Sequence, residues 1–267
     1  MITLSSDFGS PYPAAMKGVL LQHTDARLVD ISHDFPRQDV RATAFWLQEL
    51  LPYFPPAVHL VVVDPGVGTD RGAIVIRAGE HVLVGPDNGI LLPAARRLAE
   101  DFEVFAVEFE QGDPTEADPT TSAWPPEPDS QTFHGRDLFA PAAAHVHDAG
   151  HETFQTDDGF ERTDEFVEVT FPEPTLTDDG AVGEALTVDS FGNVITNVPG
   201  EVLAGRVGDH VQANGISATV RHSYAAVDAG HRVVTIGSHG NVELAVNRGR
   251  GDKAFSVGVG DRIRFAW

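Results

Sequence analysis

Cysteine is absent from this chain, which excludes disulfides, thiolate nucleophiles and thiolate metal sites. Any metal would need histidine and carboxylate ligands. Lysine is almost absent as well, with Lys17 and Lys253 alone, so arginine supplies every other cation. Against 18 basic residues stand 40 acidic ones, a formal charge of −22, far outside the roughly 2–8 units usual for a small soluble domain. So negative a surface argues against nucleic acid as a partner. The acidity is spread along the whole chain, as on a halophile's surface, and implies a salt-rich cytosol where screening relieves self-repulsion. Missing too is any apolar run of about 18 residues, and the first residues lack the basic flank and apolar stretch of a signal peptide. The expectation is a soluble, unexported, cytoplasmic protein with no membrane partner.

What is present is enough apolar chain, 42% of 267 residues, to bury a substantial core in one large domain or two smaller ones. Ile2 to Ser5, Leu28 to Ile31, Val58 to Val63, Ala73 to Ile76 and Val82 to Val84 read as short strands. Several are too continuously apolar to have a wet face, which predicts buried, parallel pairing. Between them, Ala14 to His23 and Val40 to Leu51 carry helical spacing, with Asp39 placed to start the second helix and Pro52 to stop it. Alternating strands and helices predict a doubly wound α/β domain. Residues 111 to 131, "QGDPTEADPTTSAWPPEPDSQ", are proline-rich and acidic and read as a long surface loop. Asp137 is placed to cap a helix running to about His147 and ended by Gly150. A second Pro- and Asp-rich stretch follows, after which "GEALTVD", "ATVRHSY", "HRVVTIG" and "NVELAVN" alternate as strands of a small all-β domain, a barrel or sandwich. The division expected is an α/β domain over 1–172, a linker over 173–180 and a β domain over 181–267.

In open α/β sheets ligands bind beyond the carboxyl ends of the strands. Asp7 in "DFG", Asp64 in "DPG" and Asp87 in "DNG" all follow strands there, each near a glycine that lets the backbone turn. "VVVDPGVGTDRG", residues 61 to 72, fits neither the dinucleotide fingerprint nor a phosphate loop. It does bring Asp64 and Arg71 to the two sides of a tight turn, as an ion pair or as part of a site. His134 precedes a helix whose N-terminal N–H groups attract anions. A metal site assembled from Asp7, Asp64, Asp87 and His134 has no supporting ligand spacing, and none is expected. In "VDSFGNVITN", Asp189, Phe191 and Asn193 offer an ammonium partner, a stacking face and a base-edge hydrogen bond.

Together "LSSDFG", "VVVDPGVGTDR", "GPDNG", "FHGRDLFAPAA", "DSFGNVITN" and "GSHGNVELAVNRG" resemble the S-adenosyl-L-methionine hydroxide adenosyltransferases, hydrolases related to the bacterial fluorinase and chlorinase. The motifs run in order over nearly the whole chain, which is far more specific than any lone motif. The resemblance implies an N-terminal α/β domain and a C-terminal β-barrel. It also implies a homotrimer with sites at subunit interfaces, and S-adenosyl-L-methionine as substrate with no separate cofactor. It places the water-holding residues of the hydrolases at Asp64, Arg71 and His134. It puts a ribose contact at Asp7, a further substrate contact at Asn88 in "GPDNG", the ammonium partner at Asp189, adenine contacts at Phe191 and Asn193, and a methionine contact at Ser238. The fluorinase has tyrosine in place of Asp64 and a tyrosine-serine pair in place of His134-Gly135, differences that point away from halide and toward water. His239 stands where the fluorinase has arginine, and the 111 to 131 loop is long and acidic for the family. Three functions follow as alternatives: hydrolysis of S-adenosyl-L-methionine, its chlorination, or non-catalytic binding of adenosine or S-adenosyl-L-methionine.

Overall fold

Continuous β-branched runs make the centre of the first sheet. The computed structural model describes residues 1–109, 124 and 130–267, so most of the expected 111 to 131 loop lies outside the described residues. The chain divides into two units, Met1–Val169 and Thr170–Trp267. In the first, the elements are β1 (Ile2–Ser6), α1 (Tyr12–His23), β2 (Leu28–Ser32), α2 (Val40–Leu50), β3 (Val58–Val62), β4 (Ala73–Ala78), β5 (His81–Pro86), α3 (Leu92–Leu98), β6 (Phe102–Val107), α4 (Ala140–Ala149) and β7 (Phe160–Arg162). Their sheet order is β2-β1-β3-β5-β4-β6-β7.

β1 and β3 are buried at every residue, as a strand covered on both faces must be. The pairs β1–β2, β1–β3 and β3–β5 are parallel. β4 departs from the expected parallel pairing: it runs antiparallel to both β5 and β6, because the two-residue Gly79–Glu80 connection to β5 is a hairpin, too short for a parallel crossover. Met16 and Leu20 of α1 and Ala142, Ala143 and Val146 of α4 join Ile2, Leu4, Leu60 and Val62 in one core. Asp39 caps α2 as its position predicts, its Oδ1 accepting from the Ala42 N–H at 2.9 Å. That bond satisfies a donor the helix itself leaves unpaired and is worth about 1 kcal/mol. Asp137 does not cap α4. The chain enters that helix through a π turn over Gly135–Phe139 with no side-chain cap, and the Asp137 carboxylate pairs with Arg136.

The second unit holds β8 (Thr175–Thr177), β9 (Gly180–Val188), β10 (Val194–Pro199), β11 (His210–Ala213), β12 (Ile216–Val220), β13 (Arg232–Ile236), β14 (Asn241–Val246), the short α5 (Gly251–Phe255) and β15 (Arg262–Ala266). The order β10-β14-β13-β12-β11-β15-β9, with β9 pairing back onto β10, closes a seven-stranded barrel to which β8 is added outside β9. Closure leaves the seven strands without an open edge. β11 and β15 alternate exposed and buried residues, and Val211, Ala213, Ile263 and Phe265 face a core shared with Val194, Val234 and Leu244. Among the described residues no helix is long and apolar enough to cross a membrane.

Candidate active site

β3 delivers the chain to Asp64, and a tight turn returns it to Arg71 at the start of β4. Inside the turn Thr69 donates its N–H and its hydroxyl to the Gly66 carbonyl. Gly68 has φ +78° and lies so close to the Gln131 carbonyl that a Cβ would come within 2.8 Å of that oxygen, so no other residue fits there without strain. The turn brings the two side chains into a forked pair: Arg71 Nε donates to Asp64 Oδ1 at 3.0 Å and Nη2 to Oδ2 at 2.6 Å. The side chains are only 7% and 4% exposed. Asn88 supports this arrangement from the neighbouring loop, donating from Nδ2 to the Val63 carbonyl at 2.9 Å and accepting the Ile90 N–H at 3.2 Å.

The Arg71 Nη2 also reaches His134 Nδ1 at 3.0 Å, and the guanidinium lies 5.1 Å from the centre of the Phe139 ring. A guanidinium can only donate, so His134 Nδ1 accepts and its proton sits on Nε2. Burial, then the Arg71 charge, holds the imidazole pKa below its ordinary value, against the opposing effects of Asp64 and Asp137. The ring is therefore a neutral Nε2–H donor. It is 1% exposed, and its Nε2 is buried with no protein partner among the described residues. An orphaned buried donor costs roughly 1–3 kcal/mol, and such an atom in a native site calls for a ligand. The anion-attracting helix end expected next to His134 is largely used up: the N–H groups of Arg136 and Asp137 both donate to the Phe133 carbonyl.

The three expected carboxylates have separate partners. Asp64 holds Arg71; Asp7 Oδ2 accepts the Gln38 N–H at 2.7 Å, and Asp87 Oδ1 accepts the Val167 N–H at 2.8 Å. Among the described residues no three His, Asp or Glu side chains converge as metal ligands. Flanking Asp7 and His134, the rings of Phe8, Tyr12 and Phe133 meet edge to face, with centres 5.5 to 6.3 Å apart. The sequence reading missed this apolar wall because Phe133 lies more than 120 residues from the other two.

In the second unit, "DSFGN" is a hydrogen-bonded turn. Asp189 takes the Asn193 N–H on Oδ1 at 2.8 Å and Asn193 Nδ2 on Oδ2 at 2.9 Å, and Gly192 supplies the positive φ, +88°. Phe191 projects from the tip, 76% exposed. A cleft of about 950 Å³ is lined here by Asp189, Phe191, Asn193, Tyr224, Ser238 and Arg250. Expected residues Asp189, Phe191, Asn193 and Ser238 thus share one cavity. Tyr224 was not singled out in sequence. Its hydroxyl donates to Glu243 Oε1 at 2.5 Å, a pairing that no local spacing signals.

Residues 2–155 match the family model described as the SAM hydroxide adenosyltransferase N-terminal domain, and residues 183–264 match its C-terminal domain. The chain is 38% identical to an (R)-S-adenosyl-L-methionine hydrolase of Salinispora tropica over 98% of this chain and 96% of that one. It is 40% identical to an (R)-S-adenosyl-L-methionine hydrolase of Thermus thermophilus over 97% of this chain and 96% of the relative. A solved structure of an uncharacterized conserved protein from Thermotoga maritima aligns over 100% of both chains with a TM-score of 0.83 and 31% identity. The chain belongs to the S-adenosyl-L-methionine hydroxide adenosyltransferase family.

Proposed function

We propose that the protein hydrolyses S-adenosyl-L-methionine to adenosine and L-methionine, with Asp64, Arg71 and His134 holding the nucleophile. The observation that carries this reading is the buried Asp64–Arg71–His134 chain ending in an unpaired Nε2–H donor. A water oxygen placed there receives that hydrogen bond, while Arg71 supplies positive charge and favours hydroxide. Asp64, the carboxylate of the set, accepts the remaining O–H and orients it. In the reaction the oxygen forms a bond to C5′ as the C5′–S bond breaks, its electron pair passing to sulfur. The sulfonium becomes the neutral thioether of methionine, and one proton is released to solvent. Because sulfonium is already a good leaving group, the protein's task is placement in line with the breaking bond, which supplies roughly 7–11 kcal/mol of the barrier reduction.

Asp7 is proposed to bind the ribose hydroxyls, Phe191 to stack on adenine, Asn193 to meet its edge and Ser238 to contact the methionine end. Asn88 acts by fixing the strand end that carries Asp64. No cofactor is assigned. The −22 charge supports a salt-rich cytoplasm as the working environment, and the resemblance supports a homotrimer, which light scattering tests directly. The decisive assay is incubation with S-adenosyl-L-methionine at molar salt followed by chromatography. Equal amounts of adenosine and methionine are expected; 5′-chloro-5′-deoxyadenosine in chloride would make the enzyme a chlorinase, and tight binding without turnover would make it a binding protein.

A further inference from the structure

Every nitrogen of the Arg71 guanidinium is hydrogen-bonded, yet none of those bonds accounts for the ring packed against it. Nε and Nη2 grip Asp64, Nη2 also reaches His134, and Nη1 donates to the Gly72 carbonyl at 2.7 Å. The guanidinium carbon lies over the Phe139 ring, 5.1 Å from its centre, inside the ~6 Å within which the negative face of an aromatic ring attracts a cation. Phe139 is 1% exposed and comes to this place through the π turn Gly135–Phe139. In an α-helix residues four apart share a face; the wider turn, of a kind concentrated at functional sites, lets residues five apart, His134 and Phe139, meet the same guanidinium. Gly135 allows the turn to lie close against β3. A Cβ there would come within 3.2 Å of Val62 and 3.3 Å of Met16, tighter than carbon contacts of about 3.5–4.0 Å.

An aromatic ring at this position has a chemical consequence. With its side chain 7% exposed, Arg71 has lost most of its hydration, and Phe139 stands where water would otherwise lie. A second carboxylate there would cancel the charge that favours hydroxide, and water would let the guanidinium swing away from Asp64 and His134. A ring attracts the cation and excludes water while leaving the charge in force. An aliphatic side chain of similar bulk would fill the space without the attraction. Resting on the proposed hydrolysis, we propose that Phe139 is a positioning residue: its ring holds the Arg71 guanidinium where Asp64, Arg71 and His134 can meet one nucleophile oxygen.

The test compares wild type, Phe139→Leu and a series in which Phe139 carries one, two or three ring fluorines, which keep its shape while draining negative potential from the ring face. Two quantities are read: exchange of the Arg71 Nε–H with water, followed by NMR in ligand-free protein, and kcat and KM with S-adenosyl-L-methionine. A cation–π contact between exposed and fully desolvated strength corresponds to roughly 5–30-fold. Phe139→Leu should therefore speed local opening and exchange by about that factor and lower kcat similarly, with KM near wild type. Along the fluorinated series both effects should grow stepwise. Either quantity unchanged across that series would reduce Phe139 to a packing residue and overturn the assignment. A kcat that rises along the series would show the ring damping the Arg71 charge, and a rise in KM alone would place the ring in substrate binding; both overturn it. Should Phe139→Leu fail to fold, the fluorinated chains carry the test. Wild type that does not cleave S-adenosyl-L-methionine would refute hydrolysis, and the exchange comparison would still decide whether the ring holds Arg71.

Discussion

Asp64→Asn separates the two roles that the buried ion pair combines. With side chains 4% and 7% exposed, Asp64 and Arg71 have traded most of their hydration for two mutual hydrogen bonds. Asparagine can accept only one of these. Its NH₂ faces an arginine donor, and the guanidinium charge is left buried without a counter-charge. Breaking a buried pair in this way costs about 3–5 kcal/mol, and for a unit of this size each kcal/mol lowers Tm by roughly 2–4 °C. A fall of roughly 6–20 °C is therefore expected in calorimetric melts. Catalysis should fall independently, by on the order of 10²–10⁴ in single-turnover rate, while substrate affinity of the folded variant stays near wild type. His134→Ala provides the control. It removes the Nε2–H donor and one Arg71 contact but leaves the ion pair, so it should lose a similar rate factor with a much smaller loss of Tm. Because the residues serve one oxygen, the double variant should be little slower than the slower single. Near-wild-type cleavage by folded Asp64→Asn would refute the mechanism. An unchanged Tm would refute the account of the pair as buried and uncompensated.

Asp7→Asn retains an acceptor for the Gln38 N–H but removes the charge, so KM should rise about tenfold or more with Tm nearly unchanged; an unchanged KM in steady-state assays would reduce Asp7 to a turn residue. Phe191→Ala, at a position 76% exposed, should leave Tm within about 1 °C but weaken substrate binding by calorimetry, since base stacking on an aromatic ring is worth roughly 1–3 kcal/mol. His59 is fully buried, bonded to Thr3 and His81, and burial followed by the His81 charge pushes its pKa from 6.5 down to about 3. Between those values the unfolded chain takes up a proton the folded one refuses, so stability falls as pH drops below 6.5, by up to about 1.4 kcal/mol per pH unit. His59→Asn should flatten Tm against pH between 6.5 and 4.5, and an identical slope would show that other groups control acid unfolding. Melts in low and molar KCl test the acidic surface: stability should rise with salt as repulsion is screened, and equal Tm values would refute a halophilic origin for the charge.

The strands of the first unit were legible because burial on both faces writes itself as an unbroken apolar run, and the barrel because half-buried strands alternate. Direction was not legible at β4, whose composition is that of a parallel strand; only the two-residue connection to β5 reveals the hairpin. Capping divides the same way. Asp39 stands alone before its helix and caps it, whereas Asp137 is preceded by an arginine that takes its carboxylate, and the turn it was to open is satisfied by the Phe133 carbonyl. Of the candidate site, Asp64 and Arg71 could be paired from sequence because seven residues and a glycine turn separate them. His134 stood out separately at the mouth of a helix, and the motif resemblance then joined it to that pair.

The direction of the hydrogen bonds was out of reach of both. A histidine beside a carboxylate and water is ordinarily assigned as a base, yet the partner at Nδ1 here is a guanidinium, which leaves no choice of tautomer. Tyr224 repeats the logic in the barrel, where a carboxylate takes the only hydroxyl proton and turns the oxygen into an acceptor. In each place a charged neighbour sets the direction of the hydrogen bond. The arginine makes a donor of His134 and the glutamate makes an acceptor of Tyr224. Substituting the neighbour should therefore change what the contact residue can bind without removing that residue. Arg71→Ala ought to release the His134 tautomer as well as the charge, so that the imidazole pKa, read by NMR, rises toward its ordinary value as the Arg71 repulsion disappears. A pKa unchanged from wild type in the folded variant would assign the shift to burial alone and leave the His134 proton unassigned by its neighbour.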